Sequence, residues 1–295
     1  MYGELFGLTT AWSWAASNIY TKKVTYRLNP LQILTAYIWL YTLLTLIVAF
    51  FMGRLSELFR LQLNTLTYFT SGSILGFAGD WTLFKALSLG GGIGYTITIA
   101  TSVFIVTTAL VGMIFLNESI AGLQISGGGM IIIGIFIANV KLSIHSFTVK
   151  HFWHSSSKQS VFIFASLTGF LWSLGLILWN QGLTETDPIT GAAISSLIPS
   201  CFFILACIFN SNIRPFPIEK SYRCKLLLGG SLYGLGLLTS ILALHFSGVG
   251  LTAILMSCTP IFSIPLGILF LKERYTKQGM LGLGICIIGI IIVVA

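Results

Sequence analysis

Residues 93–140 read IGYTITIATSVFIVTTALVGMIFLNESIAGLQISGGGMIIIGIFIANV, and the one charged residue in that stretch is Glu118. A bilayer's hydrocarbon core, about 30 Å thick, is crossed by about 20 apolar residues of helix. The stretch therefore holds two spans, 93–116 and 120–140, joined by a tight turn at Asn117-Glu118-Ser119. The same pattern continues on both sides. Spans at 3–21, 31–52 and 66–84 come before it, and spans at 161–181, 189–210, 225–246, 249–270 and 277–295 follow. Most connections are a few residues long, as expected where consecutive helices pair as antiparallel hairpins. The longer ones are 141–160 and 211–225. The first is polar, with His145, His151, His154 and Ser155 to Ser157, and divides the chain into a unit at 1–145, a linker at 146–160 and a unit at 161–295.

Composition agrees. Of 295 residues, 55% are hydrophobic and 8% charged, with a mean hydropathy of +0.92. A soluble domain carries about 25% charged residues because its surface meets water. This surface meets lipid, which makes the chain a multi-pass membrane protein, with the cell membrane as the expected location. The net charge of +8 sits singly or in small groups between apolar runs, as membrane-edge anchors and topology signals do. It forms no single basic face, so no nucleic-acid partner is expected.

Five cysteines all lie in the second half without a CxxC pair, and the linker histidines have no acid or cysteine beside them. Neither a metal nor a cofactor is expected. No basic residue precedes the first apolar segment, which reads as a retained helix and not a cleaved signal. No G-x-x-x-x-G-K-[ST] occurs, so uphill movement would draw on a coupling proton or a counter-substrate.

Short motifs recur between the halves. Trp12-Ser13 returns as Trp172-Ser173 at a spacing of 160, and Asn29-Pro30 as Asp187-Pro188 at 158. Ala86-Leu87 returns as Ala243-Leu244 at 157, and Leu116-Asn117-Glu118 as Leu271-Lys272-Glu273 at 155. Gly127, Gly129 and Gly134 return as Gly282, Gly284 and Gly289, also at 155. Spacings that fall steadily along the chain are those of a duplicated unit with loop deletions. Five spans per unit put the second unit into the membrane from the opposite side. The expected fold is thus all-α, with ten transmembrane helices as two inverted five-helix repeats able to alternate access.

This arrangement resembles the EamA-type transporters of the drug/metabolite transporter superfamily. The likeness rests on ten short-looped spans, Trp-Ser in the first span of each half and Ala-Leu ahead of the fourth. It rests also on Glu118 and Glu273 at the fourth-to-fifth turns and on the Gly-rich last span of each half. It covers essentially the whole chain and implies a fold and a transport role without a substrate. One departure is that Pro260 in the ninth span aligns with Ile105 in the fourth, so a helix break is expected in one half only.

The expected function is a secondary transporter, an exporter or exchanger and not an enzyme. Its substrate would be a small polar or amphipathic metabolite such as an amino acid, an amine, or a phosphorylated or nucleotide-linked sugar. An intramembrane enzyme would need acids, histidines or a nucleophile–base pair at membrane depth, and only Asp80 and His245 are candidates. A non-transporting subunit or receptor would have no need of an inverted duplication.

Asp80 lies inside the third span between Gly79 and Trp81, where an ionisable group is costly unless it faces a water-filled cavity or a partner. There it could bind a cationic amine or cycle a proton; alternatively it pairs with Lys85 at the interface. Trp12 and Asn18 in the first span, Trp172 in the sixth, Thr98 and Ser102 in the fourth, Tyr233 in the eighth and Ser257 in the ninth complete the expected substrate site. They should surround one cavity between spans 1, 3, 4, 6, 8 and 9. Spans 5 and 10 should lie outside it, packed through their glycines against each other or against a second copy of the chain. Glu118 and Glu273 read as caps for the helix that follows each.

Orientation stays open at this point. With both termini cytoplasmic, as the resemblance implies, only Arg54 and Arg60 would be cytoplasmic. The positive-inside rule gives the reverse.

Overall fold

The computed structural model describes residues 2–115, 122–139, 156–209, 219–274 and 276–294. Among these there is no strand. The helices are α1 (Tyr2–Val24), α2 (Pro30–Phe51), the 3₁₀ turn η1 (Leu55–Phe59), α3 (Leu63–Ser88), α4 (Ile93–Phe115), α5 (Gly122–Asn139), α6 (Ser156–Leu183), α7 (Pro188–Phe209), α8 (Lys220–Met256), α9 (Thr259–Leu271) and α10 (Lys277–Val294). Glu118 and the linker histidines lie outside the described residues.

Helix boundaries follow local chemistry. Asn29 accepts from the Gln32 N–H while Gln32 Oε1 accepts from the Asn29 N–H, a capping box with Pro30 at the first helical position. Asp187 does the same work ahead of Pro188, accepting from the N–H groups of Ile189 and Thr190. Chain direction reverses within α8 at Gly248, whose φ of 71° is open to glycine. Contacts along α1 show the reversal: Gly3 lies beside Ser247, Gly7 beside Leu255, and the Lys23 ammonium over the Phe270 ring. The ninth span breaks at Ser257-Cys258 and restarts as α9 with Pro260 in its first turn, whereas α4 runs unbroken past Ile105.

Among the described residues, five helices are long and apolar enough to cross a membrane by length and composition: Pro30–Phe51, Ile93–Gly112, Lys158–Leu183, Pro188–Phe209 and the composite Lys220–Leu271. The helix α1 falls short because its inner face is polar: Thr10, Ser13, Ser17, Asn18, Thr21 and Lys22 are all buried.

Packing crosses between the halves of the chain. Helix α1 runs antiparallel to the first part of α8, with Thr10 bonded to Thr239 at 2.8 Å and Ser17 donating to the Gly229 carbonyl. Helix α3 runs antiparallel to α6, with Thr82 bonded to Thr168, also at 2.8 Å. Tyr41 and Thr45 of α2 meet Ser195 and Ser196 of α7. Burial from lipid gains little between membrane helices, so such hydrogen bonds and close backbone contacts carry the association, each bond at about 0.6 kcal/mol. Helices α5 and α10 pack on each other: a Cβ on Gly134 would lie 2.6 Å from the Gly282 carbonyl, and one on Gly289 would lie 2.7 Å from that of Gly127.

The bundle has two ends. The near end holds the start of α1, η1, residues 184–187 and Gly248. The far end holds the connections at 25–29, 89–92 and 272–274 and the starts of α6, α8 and α10.

Candidate functional site

Asp80 is buried in α3, and both of its oxygens are engaged from the second half of the chain. The Trp172 indole N–H donates to Oδ1 at 3.0 Å, and the Tyr233 hydroxyl donates to Oδ2. Gly79 makes the first contact feasible, since a Cβ there would lie 2.7 Å from Trp172 Cδ1. Each oxygen keeps acceptor capacity beyond its one donor. No bond to Lys85 is needed to satisfy the carboxylate.

These three residues border a cavity of about 20 Å³, room for a single water. Its wall is Trp14, Ser17 and Asn18 of α1, Asp80, Leu83 and Phe84 of α3, Thr101 and Phe104 of α4, Trp172, Tyr233, Met256 and Thr259. The Trp14 and Trp172 rings stack with centroids 5.6 Å apart and planes 26° apart. An aromatic wall with few polar groups suits a small molecule. A carboxylate beside ring faces suits a cation in particular. Among the described residues, none of α5 or α10 lines this wall.

Of the eight residues expected from the sequence, Asn18, Asp80, Trp172 and Tyr233 line the cavity. Trp12 does not: it is 47% exposed on the outer face of α1. At 100° per residue, positions 12 and 14 point to nearly opposite sides, and Trp14 is the inward one. Thr98, Ser102 and Ser257 are buried but absent from the wall, and their hydroxyls bond the carbonyls of Gly94, Thr98 and Ala253 one turn back on their own helices. Thr101 and Thr259, one residue before Ser102 and two after Ser257, reach the cavity instead.

Trp12 and Trp172 match as a dipeptide, whereas the rings that meet in the fold are Trp14 and Trp172. Trp14 lies against Gly236 as Trp172 lies against Gly79, and Trp14 and Trp172 are 158 apart, the spacing of Asn29-Pro30 and Asp187-Pro188.

Polar contacts of Lys22 and Glu273 join neighbouring elements at the far end. Lys22, 6% exposed, donates to the carbonyls of Leu87 at 2.7 Å and Gly91 at 2.8 Å, holding α1 to the turn before α4. Glu273 accepts from the Ile93 N–H at 2.8 Å. It therefore caps α4, from the other half of the chain, where the expectation was its own following helix; the first N–H groups of α4 have no intrahelical acceptor. Sequence reading missed Lys22, although it stands one turn beyond Asn18 on the same face.

At the near end a recess of about 600 Å³ is bordered by Arg54, Glu57, Arg60, Glu185, Asp187 and His245, among others. Thr190 bridges Glu57 and Asp187 there. Burial pushes the Asp187 carboxyl up, but its bonds from Thr190 and Ile189 outweigh this and hold it below the ordinary carboxylate value. His245 is exposed and stands edge-on to Phe246 at 5.0 Å, a membrane-edge position.

The sequence matches the model of the EamA-like transporter family over residues 1–140 and 159–295. The chain belongs to that family. No curated protein matches it. A solved structure described only as "Crystal structure of protein" superposes on this EamA-like transporter with a TM-score of 0.71 at 14% identity, covering 98% of this chain and 95% of its own. That likeness is one of fold. The family makes the protein a multi-pass membrane transporter, and nothing in it calls for catalysis.

Proposed function

We propose that this EamA-like chain is a secondary transporter, an exporter or exchanger, that carries a small metabolite bearing a cationic amine through the cavity around Asp80. The observation that carries the reading is the Asp80 carboxylate, buried among Trp14, Phe84, Phe104 and Trp172 and tethered, among the described residues, by the neutral donors Trp172 and Tyr233. A buried carboxylate with no cation beside it is offset by one that arrives, either a substrate ammonium or a proton. Among the metabolite classes the sequence allows, amines and amino acids fit this wall, and phosphorylated sugars do not.

The transport cycle follows from ten spans arranged as two inverted repeats, 1–145 and 161–295, about the linker 146–160. Recurrent contacts support this: Thr10–Thr239 is repeated by Thr82–Thr168, and Gly236–Trp14 by Gly79–Trp172, at spacings of 157 and 158. The family model matching two stretches of similar length supports it further. Each repeated pair crosses between halves, so tilting one half on the other opens one end as it closes the other. A cavity of about 20 Å³ is then an occluded arrangement, which substrate enters only after the halves separate.

The test is uptake by proteoliposomes across a panel of amines, amino acids, sugar phosphates and nucleotide-linked sugars. Saturable movement of ammonium-bearing compounds is expected. Movement of sugar phosphates or nucleotide sugars alone would overturn the substrate class.

A further inference from the structure

We propose that the far end of the bundle is a binding surface for anionic phospholipid headgroups and faces the cytoplasm, which places the start of α1 on the opposite side of the membrane. The helix order sorts the described charges between the two ends, and this sorting rests on the multi-span reading alone, not on any substrate. Every described Lys and Arg except Arg54 and Arg60 lies at the far end. Arg27, Lys158, Lys220, Arg223, Lys272 and Arg274 are exposed there. They come from the α1–α2 turn, α6, α8 and the turn before α10, so the charge is spread round the rim and does not follow one helix. The far-end acids are Glu219 and Glu273, and Glu273 is engaged at the start of α4.

The near end has the opposite balance. Glu4, Glu57, Glu185 and Asp187 lie there, and of its two arginines Arg54 is paired with Glu57. Lys and Arg in short loops set orientation, with the richer side kept in the cytoplasm. Long basic side chains at helix ends also reach the phosphate level while their stems stay in apolar surroundings. The cytoplasmic leaflet is the anionic one, and exposed Lys and Arg near it are attracted within a Debye length. The two arguments agree with each other and oppose the orientation implied by resemblance to other EamA-type transporters.

One molecule can report both ends. Ser56→Cys places a thiol on exposed η1 at the near end, and native Cys224 is an exposed thiol at the start of α8 at the far end. Intact cells are treated with a membrane-impermeant maleimide, and the two peptides are read separately by mass spectrometry. The expected result is modification of the thiol at position 56 on intact cells and of Cys224 only after permeabilisation. The reverse pattern, or both thiols modified on intact cells, overturns the orientation. Thr276→Cys, in the exposed turn before α10, repeats the far-end reading if Ser56→Cys fails to express.

The lipid contact is read by the thermal midpoint of the purified protein in nanodiscs of phosphatidylglycerol or phosphatidylcholine. The midpoint should be higher in phosphatidylglycerol, and replacing Lys272, Arg274 and Lys277 by Gln should remove most of that difference. Equal midpoints in the two lipids overturn the surface. So does an equal rise given by inorganic phosphate in detergent, which would mark a soluble-anion site.

Discussion

Trp14 and Trp172 stack on each other at 5.6 Å across the centre of the bundle, one from each half of the chain. The Trp172 N–H is bonded to Asp80, whereas the Trp14 N–H is buried without a partner. The two rings thus have unequal surroundings, and 157 residues after Asp80 stands Leu237, which carries no charge. Among the described residues, Asp80 is the one charged group in the cavity wall.

The stacked pair predicts a contrast between neighbouring tryptophans. Trp14→Ala removes a wall of the cavity and one ring of a stack contributing about 0.5–1.5 kcal/mol beyond its area, so transport should fall about tenfold. Trp12→Ala, on the outer face, should leave it within about twofold. Initial uptake rates normalised to protein in the membrane check both.

Two glycines one turn apart make a second contrast. A Cβ on Gly79 would lie 2.7 Å from Trp172, while one on Gly76 meets nothing nearer than 3.8 Å. Gly79→Ala should displace Trp172 from Asp80 and cost about 1–3 kcal/mol of overpacking. Gly76→Ala should be nearly neutral. Thermal midpoints in detergent and uptake rates should move together for the first and stay put for the second.

Lys22 predicts a stability effect at the far end. Lys22→Met removes two charge-assisted bonds to the turn before α4 and should cost about 1–3 kcal/mol. Lys23→Met, whose ammonium only approaches ring faces, should cost less than about 1 kcal/mol. Thermal denaturation of the two variants side by side measures the difference. Equal losses would mean that the Lys22 bonds do not hold α1 to that turn.

Much of this molecule was legible in its sequence because lipid leaves few options. Long apolar runs and short turns gave the helices, and Asn29-Pro30 and Asp187-Pro188 marked two starts by chemistry that acts locally. Asp80, Asn18, Trp172 and Tyr233 stood out because polar and aromatic groups inside spans need a reason to be there, and the fold brings these four to one cavity. The repeated dipeptide drew attention to Trp12, but it carries no information on which helix face turns inward; the contact of Trp14 with Gly236 fixes that. Thr98, Ser102 and Ser257 stand off the cavity wall, because a Ser or Thr in a helix can spend its hydroxyl on the preceding turn. Lys22 was read as an interfacial anchor beside Lys23, since its acceptors are backbone carbonyls 65 and 69 residues away.

The central claim is that the Asp80 carboxylate receives the positive charge of the substrate. Losing a hydrogen bond to a charged group costs about 1.5–3 kcal/mol, so Asp80→Asn should lower amine or amino-acid uptake by about ten- to hundredfold at every pH. Asp80→Glu should retain a measurable part of it, and the folded yield of both variants should match the wild type. The direct measurement is the initial rate of uptake of the best-transported ammonium compound in proteoliposomes, for wild type and Asp80→Asn. A loss of that size is the predicted result, and wild-type rates in Asp80→Asn across the pH range would contradict it.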